Sequence, residues 1–133
     1  MQRLITIARR LRSDEHGFAS SAIIAPTIFL LLFMALQVAL WYQGTNVAQN
    51  AAVAAYNDAR AYESTSGAGQ SSARQVLDQS GGFLQDSNVA VNRTGDTVTV
   101  DVTGRAVSMI PGVTLPAVNR TITGPVERWV PAS

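Results

Sequence analysis

One histidine, nine carboxylates and no cysteine make up the acid, base and thiol chemistry available to this 133-residue chain. The histidine, His16, sits in the N-terminal leader, and the acidic residues of the tail fall singly at expected surface positions. General acid–base catalysis needs such groups within hydrogen-bond reach of one another and of a substrate, so this inventory argues against an enzyme. The lack of cysteine removes disulfides, lipoprotein acylation and thiolate metal sites. No cluster has metal-ligand spacing, and no glycine-rich phosphate loop follows a strand. We therefore expect no cofactor, no metal and no small-molecule substrate. The one distinctive chemical position is a place where chemistry could be done to the chain. At His16-Gly17-Phe18-Ala19 a polar leader meets an apolar run, and glycine there weakens a helix and removes the side chain that would block a protease working at the inner face of a membrane.

The element that positions this junction is a stretch without formal charge from Gly17 to Asn57, preceded by Arg3, Arg9, Arg10 and Arg12. Residues 18 to 42 read FASSAIIAPTIFLLLFMALQVALWY, which as a helix would span about 37 Å against a hydrocarbon core of about 30 Å. Lipid offers the backbone no partners, so a lone apolar segment of this length is expected to be helical. Four arginines precede it and only Arg60 follows within about 20 residues, which places the N-terminus in the cytoplasm and the C-terminus outside. Trp41 and Tyr42 stand where an interfacial aromatic belt belongs. Gln37 is the strongly polar side chain of the outer half, able to bond to a partner helix or reach the headgroups. Pro26 removes one backbone donor, which membrane helices tolerate.

Helix formers continue beyond Gly44, so a single helix from Phe18 to Glu63 is expected, with a transmembrane inner half and an alanine-rich outer half. Ala48, Ala52, Ala55 and Ala59 recur at spacings of 3 and 4. Such a stripe lets another backbone approach closely, and alanine also has the best helix propensity; both can hold together. Residues 64–71 (STSGAGQS) read as a flexible joint. A short helix should follow from a Ser72/Gln75 capping box, with Ala73, Val76 and Leu77 on one face and Gly81 or Gly82 ending it. Phe83 and Leu84 should begin the core. The period then changes to 2, giving a hairpin from Val89 to Val102 turned at residues 93–96, with a third strand over 118–123. The fold class is therefore α+β: a long N-terminal helix, then a small domain over 72–133 with a short helix and a three-stranded antiparallel sheet. The pentapeptide AVNRT occurs at residues 90–94 and 117–121, each copy containing an Asn-x-Thr sequon; two copies do not make a repeat architecture. A net charge of +1, with no basic cluster beyond the leader, gives no nucleic-acid signal.

The junction at Gly17 and Phe18 resembles the processing site of type IV-like prepilins. The wider layout resembles the TadE-like family, minor pilins and assembly proteins of the tight-adherence (Tad, Flp-type) pilus. It rests on the arginine leader with Gly17, on Ala22-Ile23-Ile24-Ala25-Pro26 and the leucine-rich run, and on the alanine-rich helix. The valine hairpin, Ser108-Met109-Ile110-Pro111-Gly112, and a closing Gly124-Pro125-Val126-Glu127-Arg128-Trp129 like that of actinobacterial members complete it. The resemblance implies a cell-membrane subunit cut between Gly17 and Phe18 by a prepilin peptidase, a transient partner. It further implies association with other pilins or Tad assembly-platform proteins through the N-terminal helix, in or at the base of a surface pilus. Family members usually carry glutamate five residues after the cut, where this chain has Ala22, or Ser20 if aligned on Pro26. The competing expectations are an accessory subunit of another envelope complex that keeps its leader as an anchor, and a domain released by signal peptidase.

Overall fold

The computed structural model describes the backbone of residues 2–132 and the side chains of residues 17–132. The chain divides into two compact units, one ending at Leu36 and one running from Gln37 to Ser133. A single helix, α1 (Gln2–Arg60), contributes to both. It is followed by α2 (Ser66–Gln79), β1 (Leu84–Arg93), β2 (Thr97–Ala106) and β3 (Ala117–Pro125).

In the first unit the helix passes Gly17 and Pro26 without interruption. Ser21 and Thr27 turn their hydroxyls back onto the carbonyls of Gly17 and Ile23, at 3.0 and 2.8 Å, which satisfies both side chains within the helix. Among the described side chains, from residue 17 on, the large apolar ones point outward on every side: Ile23 is 72% exposed and Leu30 60%. No core accounts for them, and the stretch is long and apolar enough to cross a membrane once.

The second unit is the α+β domain. Its sheet has the order β1-β2-β3, antiparallel throughout. Alternation along β2 sends Val98, Val100 and Val102 inward, where all three are fully buried, and leaves Thr97, Thr99, Asp101 and Thr103 on the other face. Val118 from β3 and Leu84 from β1 join them. Leu84 begins the core as expected, whereas Phe83 remains 37% exposed beside it.

Several boundaries differ from the sequence expectation: α1 begins at Gln2, not Phe18, and the strands run a few residues past their expected ends. The long helix ends at Arg60, not Glu63, because other elements take its last carbonyls. The amide of Glu127 donates to Arg60 O at 2.8 Å, Arg93 Nε to Ala59 O at 2.8 Å, and the Ser64 amide to Ala61 O at 3.0 Å, while Glu63 turns to φ 59°. The segment 64–71 is mostly helix. Thr65, not Ser72, caps α2, its hydroxyl accepting from the Ala68 amide at 3.2 Å, and Ser72 hydrogen-bonds Asp58 instead. Ser80 closes the helix, and Gly81 and Gly82 follow with φ 74° and 79°, conformations that glycine adopts without strain.

Candidate functional surfaces

The stripe Ala48, Ala52, Ala55 and Ala59 is a packing surface, and its partner is this chain's own domain. All four are fully buried, together with Ala51, in one cluster with Val98, Val100, Val102 and Val118. The backbone expected to approach this stripe closely is thus this chain's own. A methyl-sized side chain suits the position because sheet and α2 both press onto this helix face. The approach is closest at glycines. A Cβ on Gly69 would lie 2.7 Å from the Ala55 carbonyl oxygen and 2.9 Å from the Ala59 Cβ. One on Gly44 would lie 2.9 Å from the Ala106 Cβ. Gly44 stands four residues before Ala48, so the stripe could have been extended to it from spacing alone.

Gln37 is likewise engaged within the chain. It is 7% exposed; its Nε2 donates to Ser108 Oγ at 2.9 Å, and its Oε1 accepts from the Met109 amide at 3.4 Å. The amide thus holds the β2–β3 loop, not a partner helix. One turn further along α1, Trp41 is 36% exposed and Tyr42 62%. Thr45 donates to the Trp41 carbonyl at 3.0 Å.

The loop held by Gln37 has its own internal geometry. Ser108 Oγ also interacts with the Ile110 amide and carbonyl, each at 3.3 Å. Val113 N donates to Ile110 O at 3.2 Å across Pro111-Gly112, with Gly112 at φ 78°. Proline followed by a glycine at positive φ is the residue pattern of a type II turn. Beside this turn a shallow cleft of about 310 Å³ is lined by Asp86, Arg105, Ile110 and Leu115 among others.

At the opposite end of the domain, α1 is fastened by charge. Arg60 places Nε and Nη2 on Glu127 Oε1 at 3.0 and 2.6 Å, and its guanidinium lies 5.5 Å from the Tyr56 ring centroid. The hydrogen bonds to Glu127 and then to Tyr56 raise the Arg60 pKa above its ordinary value. Arg128 pairs with Asp96 in the β1–β2 turn. Sequence reading missed Arg93 and Glu127 here. An arginine at a strand end and a glutamate in a tail carry no local pattern that names a distant carbonyl or guanidinium.

Gly17 lies inside α1, and a Cβ there would meet no atom within 4 Å. The junction where glycine was expected to weaken the helix is therefore helical, and Phe18, 81% exposed, follows on the same helix. The side chains of Arg3, Arg9, Arg10 and Arg12, expected to set membrane orientation, lie outside the described residues. Among the described residues no three His, Asp or Glu side chains converge on a metal-sized site. No protein family, curated protein or solved structure matches this chain.

Proposed function

We propose that this chain is a single-pass, pilin-like membrane subunit, a minor pilin or assembly factor of a Tad-type surface pilus, with its N-terminus in the cytoplasm and its domain outside. The observation that carries the reading is the division of labour along one helix. From Phe18 to Leu36 its apolar side chains are exposed, and from Gln37 its small residues form the core of an α+β domain. A helix built this way gives the domain a membrane anchor without a linker, and it leaves the inner half free to exchange lipid for neighbouring helices. Because the alanine stripe is already occupied, lateral association would use residues 18 to 36, where Ala22 and Ala25 offer close approach. Membrane lipid, other pilins or platform proteins, and a prepilin peptidase acting transiently are the partners this implies. The inventory of side chains supports a structural, non-enzymatic role.

A second reading is favoured by the helicity of Gly17 and by the neutral Ala22 or Ser20 where pilins usually carry glutamate. A new amino terminus at Phe18 would lack that carboxylate, and an unpaired buried ammonium is costly. On this reading the leader is kept and the protein is a permanent accessory subunit of another envelope complex. N-terminal sequencing and intact mass of the membrane-extracted protein, with and without active prepilin peptidase, decide between them. Phe18 as first residue supports the processed subunit, and Met1 alone in the presence of active peptidase refutes it. A first residue beyond Ala39 would refute both in favour of a secreted domain.

A further inference from the structure

The exposed apolar side chains of the β2–β3 loop have no role in the core. Met109 is 58% exposed and Val113 45%, on either side of the Pro111-Gly112 turn. Residues 106–119 contain no charged side chain, in a domain whose other strands and turns carry charges regularly. Gln37 fixes the loop to α1 through Ser108 and Met109, next to Leu36 near the outer end of the exposed apolar run, which continues past it at Val38, Trp41 and Tyr42. From Gly17 to Leu36 that run would be about 30 Å long as a helix, the thickness of a hydrocarbon core. Gln37 then falls at the outer boundary of the lipid, and Trp41, one turn on, at headgroup depth. A loop tied to Gln37 is held at the same depth.

We propose that the loop Val107–Pro116 is a lipid-binding element that rests on the outer leaflet, with Met109 and Val113 entering the headgroup–acyl boundary. The inference rests on the membrane-spanning part of the proposed function and is independent of whether the leader is cut. Three features favour lipid as the occupant. The loop is uncharged, it is tied by a two-point amide contact to Gln37, the residue after Leu36, and its turn is prefolded, so insertion orders few further bonds. Shallow burial of such side chains, about 5–10 Å into the boundary, is the depth usual for interfacial elements. Gln37 gains a role here: its amide meets the loop's polar groups, so that neither partner faces the lipid edge unsatisfied.

The lack of cysteine makes the test direct, since single-cysteine variants carry one label each. The full chain is reconstituted into vesicles of phosphatidylethanolamine and phosphatidylglycerol, with an environment-sensitive fluorophore on Leu30→Cys, Met109→Cys, Val113→Cys or Thr99→Cys. Quenching is read with iodide in the water and with nitroxide-bearing lipids. We expect Leu30 to be quenched by deep nitroxides, and Met109 and Val113 by shallow ones, with iodide quenching several-fold weaker than at Thr99 on the outer sheet face. Adding Gln37→Leu should restore iodide access at Met109 while Leu30 stays in lipid. If Leu30 is lipid-quenched but Met109 and Val113 match Thr99, the loop proposal is overturned and the span stands. Protection from iodide without lipid quenching would mean that protein covers the loop, which also overturns it. If Leu30 is not lipid-quenched, the span reading falls and the loop proposal with it.

Discussion

Gly67 and Gly69 lie two residues apart in α2, and the same substitution should act on them in opposite directions. Glycine inside a helix costs about 0.5–1 kcal/mol relative to alanine, through the backbone entropy lost on folding. At Gly67 an added Cβ finds nothing nearer than Thr65 Oγ1 at 3.7 Å, so Gly67→Ala should recover a good part of that amount. At Gly69 the new methyl would sit 2.7 Å from the Ala55 carbonyl oxygen and 2.9 Å from the Ala59 Cβ, both on the rigid face of α1. Contacts between such atoms are normally 3.5 Å or more, so α2 would have to retreat by about half an ångström or more. Overpacking of this kind costs about 1–3 kcal/mol, which exceeds the propensity gain. The two variants should therefore differ by about 1–3 kcal/mol, with Gly67→Ala the more stable. In a domain of this size each kcal/mol moves the thermal midpoint by about 4–8 °C. The gap is measurable by circular dichroism on the full chain in mild detergent. Amide exchange across α2 should accelerate in Gly69→Ala and slow in Gly67→Ala. If both variants stabilise equally, α2 does not press on α1, and residues 64–71 are the flexible joint their composition suggests.

Arg93→Met keeps the aliphatic stem but removes the donor to the Ala59 carbonyl, leaving a helix end without its partner; we expect a loss of about 1–3 kcal/mol and faster exchange in the last turn of α1. Val100→Ala should cost about 2 kcal/mol through lost burial and a residual cavity, whereas Thr99→Ala on the outer face should change the urea midpoint little. The Arg60 pKa is raised in the folded chain, chiefly by Glu127, so its stabilising contribution is complete below the unfolded guanidinium value and is lost only as pH rises through the folded one. Thermal midpoints of wild type and Arg60→Met should therefore keep a constant separation between about pH 6 and 9, and a separation that narrows as pH rises within that window would contradict the assignment.

How much of this was legible in the sequence depends on how far each signal reaches along the chain. The sheet was readable because alternation is local: Val98, Val100 and Val102 declare their face within six residues, and the observed strands extend the expected ones by a few positions at their ends. The apolar run was readable because length and absence of charge need no partner. The joint at 64–71 was misread because glycine carries two meanings that composition cannot separate. Gly81 and Gly82 are there for their positive φ, while Gly69 is there for what stands against it, and that neighbour lies on a different helix. Ala55 and Ala59 posed the same ambiguity from the other side: a stripe of small residues announces close approach and is silent about whose backbone approaches. Here the answer is internal. With the alanine stripe of α1 taken up in the domain's own core and Gln37 in its own loop, the lateral association proposed above would fall to the exposed inner half. Its bulky Leu30, Leu31, Leu32 and Phe33 fit lipid as well as protein, so the sequence alone could not choose between anchoring and assembly. Under the proposed pilin-like role the same surface would serve both, first in the membrane and then against another helix.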